Sequence, residues 1–93
     1  MIKSFKCEET ERIYKRQKSS KFPESIQKSA HRKLLIIDAA TDFRDLQIPP
    51  GNHLEILQDD REGQLSIKVN DQYRICFVWN KGDAYQVELI DYH

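Results

Sequence analysis

The segment Leu65-Ser66-Ile67-Lys68-Val69-Asn70-Asp71-Gln72-Tyr73-Arg74-Ile75-Cys76-Phe77-Val78-Trp79 reads as a β-hairpin. Leu65, Ile67 and Val69 alternate with Ser66 and Lys68, the period-two signature of a strand with one buried face. Asn70-Asp71 supplies the turn. Beyond it, Tyr73, Ile75, Phe77 and Trp79 fall on one face, and Arg74, Cys76 and Val78 fall on the other. Lys81-Gly82-Asp83 turns the chain again into Tyr85-Gln86-Val87-Glu88-Leu89-Ile90, a final alternating run.

Upstream of the hairpin, Leu54 to Leu57 is a short strand, followed by the acidic loop Gln58-Asp59-Asp60-Arg61-Glu62-Gly63. Pro49-Pro50-Gly51-Asn52 is a turn signal, and Asp42 to Leu46 is at most one turn of helix. Ile26, Ala30, Leu34 and Ile37 recur at intervals of four, four and three, an apolar stripe of helical period. Pro23 suits the first turn of that helix, and Glu24 suits the positive end of its dipole. Lys28, His31 and Arg32 are expected to face away from the stripe. Glu8 to Gln17 is a second helix, with Glu8/Arg12 and Glu11/Lys15 spaced for ion pairs. Only Ile13 and Tyr14 are available to dock it, so it is expected to be loosely held, as is the Ser-containing stretch up to Glu24. Ile2 to Phe5 completes the pattern as a first strand. The order is β-α-α-β-β-β-β, an α+β domain with a mainly antiparallel sheet and a two-helix hairpin on one face.

Ninety-three residues bound a single domain, residues 1–93, with one modest core. No apolar run approaches the roughly 20 residues of a membrane span, and the N-terminus lacks the apolar core of a signal peptide. Cys7 and Cys76 lack the spacing of a metal knuckle or a disulfide framework, and His31, His53 and His93 are scattered. A cytoplasmic protein with reduced thiols and no metal or cofactor is the expectation. The zero net charge hides an asymmetry. Met1 to Lys33 holds ten basic and four acidic side chains, a net +6, and the remaining 60 residues hold five basic and eleven acidic, a net −6. A basic end of this kind suits phosphates, an acidic protein, or simply a solvated helical face.

The chain stops on Asp91-Tyr92-His93, placing an acid, a phenol and an imidazole directly after a strand. Histidine, with an ordinary pKa of about 6.5, can give or take a proton near neutrality. The plainer reading is a solvated polar tip. In a regular strand Asp91 and His93 share one face and Tyr92 takes the other, so a common site requires the strand to end or twist near Asp91.

Met1-Ile2-Lys3-Ser4-Phe5, Pro50-Gly51-Asn52, Leu54-Glu55-Ile56-Leu57, Asp60-Arg61-Glu62-Gly63, Ser66-Ile67, Asn70-Asp71-Gln72-Tyr73-Arg74-Ile75, Gly82-Asp83-Ala84-Tyr85 and the Asp91-Tyr92-His93 end together resemble the HigB-type toxins. These form the plasmid maintenance system killer branch of the RelE/ParE superfamily. The resemblance runs over essentially the whole chain and is weakest from Glu8 to Glu24. It implies a sheet with two helices on one face and a nucleic-acid-facing surface on the other. It further implies metal-independent cleavage of mRNA on the translating ribosome. The implied partner is a cognate HigA-type helix-turn-helix antitoxin, through which alone operator DNA would be contacted.

A metal-free ribonuclease uses the substrate 2′-OH as nucleophile. Such a reaction needs a proton acceptor for that hydroxyl, a cation for the phosphoryl oxygens and a proton donor for the leaving 5′ oxygen. His93 is the best proton carrier. Asp91 can orient its ring or act as base, and Tyr92 can donate a hydrogen bond or stack on a base. Arg74 offers a fork of donors matched to phosphate. These four are the catalytic candidates; Arg61, Lys68 and Glu55 are the substrate-binding ones. Without the resemblance, a strand neighbour is the plainer partner for Arg74, and Arg61 is an ordinary loop charge.

The chain also departs from the family pattern. Some members carry His where Glu55 stands. A Lys-Gly pair common after the preceding leucine is Gln58-Asp59 here, which makes the phosphate path less positive. His53 reads as an exposed turn histidine rather than a substitute. A non-catalytic toxin of the same fold, like the ParE branch that poisons DNA gyrase, is the competing reading, and a plain binding module is a third. Neither needs a proton-transfer cluster.

Overall fold

Residues 1–48, 50–57 and 63–91 are described by the computed structural model, with the backbone alone at Pro50. Helices α1 (Glu8–Tyr14) and α2 (Glu24–Ala39) precede 3₁₀ turns at Phe43–Gln47 and Pro50–Asn52. The strands are β1 (Glu55–Ile56), β2 (Gln64–Lys68), β3 (Tyr73–Asn80) and β4 (Asp83–Asp91). They form one antiparallel sheet in the order β1-β2-β3-β4.

The hairpin forms as its alternation requires. Leu65 pairs with Phe77 and Ile67 with Ile75, so the apolar residues of both strands line one face. Asn70 sets this register, because its Oδ1 accepts from the backbone N–H groups of Gln72 and Tyr73 at 2.9 and 2.8 Å. The second turn, Lys81-Gly82, has φ of 52° and 83°, the doubly left-handed geometry that matches strand twist. A Cβ on Gly82 would lie 2.8 Å from the Thr41 carbonyl, so glycine is needed there on two counts.

Both helices cover that apolar face. Ile26, Ala30, Leu34 and Ile37 of α2 and Ile13 of α1 are buried against Leu65, Ile67, Ile75, Phe77, Ala84, Val87 and Leu89. Each fully buried Leu or Ile contributes roughly 1.5–3 kcal/mol, so the helical stripe alone accounts for much of the attachment of α2. Pro23 is the N-cap residue and not the first helical one.

Several expectations change. The N-terminal segment is not a continuous strand. It makes two isolated parallel bridges to β4, Ile2 with Ala84 and Phe5 with Val87. The interruption has a cause in β4, where a step of three from Tyr85 to Glu88 faces a step of two from Cys76 to Val78 in β3, and Gln86 adopts φ 52°. The displaced Gln86 N–H donates to Ser4 Oγ at 2.9 Å. Helix α1 stops at Tyr14, short of Gln17. Arg16 takes φ 61° just beyond it, and the Gln17 N–H reaches back to the Arg12 carbonyl at 2.7 Å, a left-handed helix stop.

The segment joining the helices is better anchored than its composition suggests. Phe22 is buried and meets Tyr73 edge-on at 6.0 Å. Ser19 is buried with its hydroxyl on Glu9 at 2.7 Å, and Gln27 donates to the carbonyls of Ser19 and Phe22. Thr10 adds a polar anchor for α1, its Oγ1 accepting from the Leu89 N–H at 3.0 Å. His31 does not face away: its Nδ1 lies 3.0 Å from the Ile13 carbonyl, tying α2 to α1.

Candidate active site

The sheet face opposite the helices carries Ser66, Lys68, Arg74 and Cys76, in register as Ser66 with Cys76 and Lys68 with Arg74. Arg74 is 8% exposed, and a buried guanidinium must satisfy its donors. Its Nε donates to Ser66 Oγ at 2.8 Å. One terminal nitrogen donates to the Ser66 carbonyl at 3.3 Å and to the His53 carbonyl. The other stands 3.7 Å from the Glu55 carboxylate. The cation is thus held from three sides within the protein.

Beside it opens a cleft of about 230 Å³, lined by His53, Glu55, Lys68, Asn70, Asp71 and Arg74. Glu55 is half exposed there, and Lys68 forms a 2.9 Å ion pair with the fully exposed Asp71. The Lys68 ammonium holds the Asp71 carboxyl below the usual carboxylate range. Three of the candidate residues, Arg74, Lys68 and Glu55, therefore meet in one cleft.

Asp91 reaches the same end of the sheet. It pairs with Tyr73 at the last rung of β4, next to the rung of Arg74 with Ile90, so its side chain leaves the sheet on the face that carries Tyr73 and not on the one that carries Arg74. Its carboxylate accepts from Gln72 Nε2 at 3.0 Å. The turn that supplies Asn70 and Asp71 to the cleft wall therefore also holds Asp91 through Gln72. Arg61, Tyr92 and His93 lie outside the described residues.

Ser66, the His53 carbonyl and Gln72 escaped the sequence reading. Ser66 could have been found, since alternation puts it on the polar face with Lys68 and Arg74. The backbone carbonyl of His53 leaves no trace in residue identity. His53 itself is an exposed turn residue with φ 44°, as expected for a turn.

A larger cleft of about 570 Å³ lies between α1 and α2, with Arg16, Lys18, Lys28 and Arg32 among its lining. It places much of the basic end on one surface. Its histidine, His31, is engaged on both ring nitrogens, with Nδ1 at the Ile13 carbonyl and Nε2 accepting from Arg16 Nε at 3.2 Å. A carbonyl can only accept, so the Nδ1–H tautomer is required. That ring is committed to structure, and the smaller cleft is the better candidate for chemistry.

The HigB-like toxin family profile, described as RelE-like toxin of type II toxin-antitoxin system HigB, matches residues 3–93. The chain is 42% identical over 90 residues to Toxin HigB-1 of Vibrio cholerae, covering 96% of this chain and 95% of that protein. It is 37% identical over 95 residues to Endoribonuclease HigB of Proteus vulgaris, with both chains fully covered. An uncharacterized protein of Haemophilus influenzae is 37% identical over 70 residues, 75% of this chain and 69% of its own. The chain belongs to the HigB-like family of RelE-like toxins of type II toxin-antitoxin systems.

Proposed function

We propose that this toxin is a ribosome-dependent mRNA endonuclease that cleaves without a metal and uses the substrate 2′-OH as nucleophile. The observation that carries the reading is a nearly buried arginine, Arg74, held at a cleft that also gathers Lys68 and Glu55. The name of the Proteus vulgaris relative, an endoribonuclease, supports it.

In this reading the 2′ oxygen attacks phosphorus as the bond to the 5′ oxygen breaks. Arg74 donates to the non-bridging oxygens as charge builds, a contribution typically worth 10²–10³ in rate. The incoming phosphate competes with Glu55 for that guanidinium. Lys68 and Arg61 offer positive charge to neighbouring phosphates, and the Glu55 carboxylate can accept from a ribose hydroxyl or an exocyclic amine. His93 is the proton carrier, oriented or assisted by Asp91, with Tyr92 donating a hydrogen bond or stacking on a base. The partners are a cognate HigA-type antitoxin, the ribosome and its mRNA in the cytoplasm, with operator DNA bound only through the antitoxin.

The test is transcript mapping by primer extension after brief expression of wild type, His93→Gln and Arg74→Ala at matched levels. Discrete codon-linked cuts are expected for wild type, with both variants reduced about 100-fold or more. Undiminished growth arrest by a soluble His93→Gln protein, without transcript cuts, would favour a non-catalytic toxin acting on DNA gyrase.

A further inference from the structure

One buried side chain holds the turn that faces Arg74. Asn52 has no exposed surface. Its Nδ2 donates to the carbonyls of Leu46 and Ile48 at 3.1 and 3.3 Å, and its Oδ1 accepts from Lys33 Nζ at 2.6 Å. Both amide protons and the amide oxygen are therefore used. They join α2, the end of the first 3₁₀ turn and the end of the second at a single point. The next residue, His53, takes a left-handed φ of 44°, which is uncommon for a residue bearing a Cβ and which the pinned turn favours. The His53 carbonyl that results is an acceptor for the terminal nitrogen of Arg74.

We infer that Asn52 is a positioning residue for Arg74. It acts through the His53 carbonyl, and Lys33 braces it from the far side of the turn. A guanidinium is planar, so two anchors on different nitrogens define its orientation. Ser66 Oγ holds Nε, and the His53 carbonyl holds a terminal nitrogen that also donates to the Ser66 carbonyl at 3.3 Å. With the turn unpinned, the His53 anchor drifts, the terminal nitrogen keeps only its longer contact to the Ser66 carbonyl, and the plane gains freedom to swing about Nε. The nitrogen beside Glu55 then leaves the cleft. The catalytic consequence rests on Arg74 contacting phosphate as proposed above, whereas the geometric one does not.

Side-chain ¹⁵N NMR of the full chain reads the geometry directly through hydrogen exchange at the Arg74 Nε–H. Asn52→Ala is expected to speed that exchange at least tenfold. It should also lower the saturating rate of mRNA cleavage on programmed ribosomes about tenfold, with less than a twofold change in half-saturating ribosome concentration. Ile13→Val, a core truncation in α1, serves as a destabilised control and should change neither reading. Equal exchange at Arg74 in Asn52→Ala and the control would overturn the inference. If Asn52→Ala does not fold, Lys33→Met is read instead, because it removes one brace and leaves both Nδ2 bonds. About threefold faster exchange supports the inference and unchanged exchange overturns it. Undiminished cleavage by Arg74→Ala would remove the phosphate role of Arg74, while the exchange result alone decides the role of Asn52.

Discussion

Replacing Ser66 with Ala tests how the arginine is held. The hydroxyl is fully buried and accepts from Arg74 Nε at 2.8 Å, so its removal leaves a donor of a buried cation without that acceptor. A hydrogen bond to a charged group contributes about 1.5–3 kcal/mol. The Ser66 and His53 carbonyls still accept from one terminal nitrogen, so the loss should not exceed that range. At about 4–8 °C per kcal/mol for a domain of this size, the melting point should fall by roughly 6–24 °C. The cleaner measurement is a double-mutant cycle with Arg74→Met by urea denaturation. Once Arg74 is gone the hydroxyl has lost its charged partner, and Ser66→Ala should then cost little. A coupling of about 1.5 kcal/mol is expected, within the range for residues in direct contact. A coupling below about 0.5 kcal/mol would refute the claim that Ser66 anchors the guanidinium.

Thr10→Val keeps the side-chain shape but orphans the buried Leu89 N–H, which should cost about 1–3 kcal/mol by urea denaturation; a neutral result would mean another acceptor takes over. The Glu9, Asp42, Asp45 and Asp71 carboxyls are held below their ordinary range by Ser19, by Arg44, by the Thr41 and Asp42 amides, and by Lys68, respectively. A depressed folded-state pKa contributes stability above the unfolded value of about 4, and that stability is lost as pH falls through the lower folded value. The urea midpoint should therefore drop between about pH 5 and pH 2, and Asp42→Asn with Asp45→Asn should flatten that limb; an unchanged limb would contradict the assignment. Replacing Lys28 and Arg32 with Gln should weaken ribosome association and reduce its log–log salt slope by roughly 1–2, if this groove meets phosphates. Equal slopes for variant and wild type would rule that out.

Periodicity alone determined the central hairpin and the long helix. The Leu65/Ile67/Val69 and Tyr73/Ile75/Phe77 alternations mark two strands, and the Ile26/Ala30/Leu34/Ile37 stripe marks a helix, because each exposes one apolar face that must be buried. The Glu8–Arg12 and Glu11–Lys15 pairs form, at 4.0 and 3.2 Å, because spacing along a helix is a local property. Family resemblance singled out Arg74, Glu55 and Lys68, and the sheet brings these three into one cleft. Tertiary structure decided what no local pattern encodes. The bulge at Gln86 breaks the N-terminal pairing, and Phe22, in a stretch that reads as loop, enters the core. Ser66 meets Arg74 eight residues away only because the Asn70 turn sets the cross-strand register. Asn52 and the His53 carbonyl reach the arginine through a turn pinned from α2. The physical reason is range. Strand and helix periods follow from the geometry of consecutive residues, whereas a buried cation is satisfied by whichever polar groups the folded chain brings within about 3 Å, and these come from distant segments.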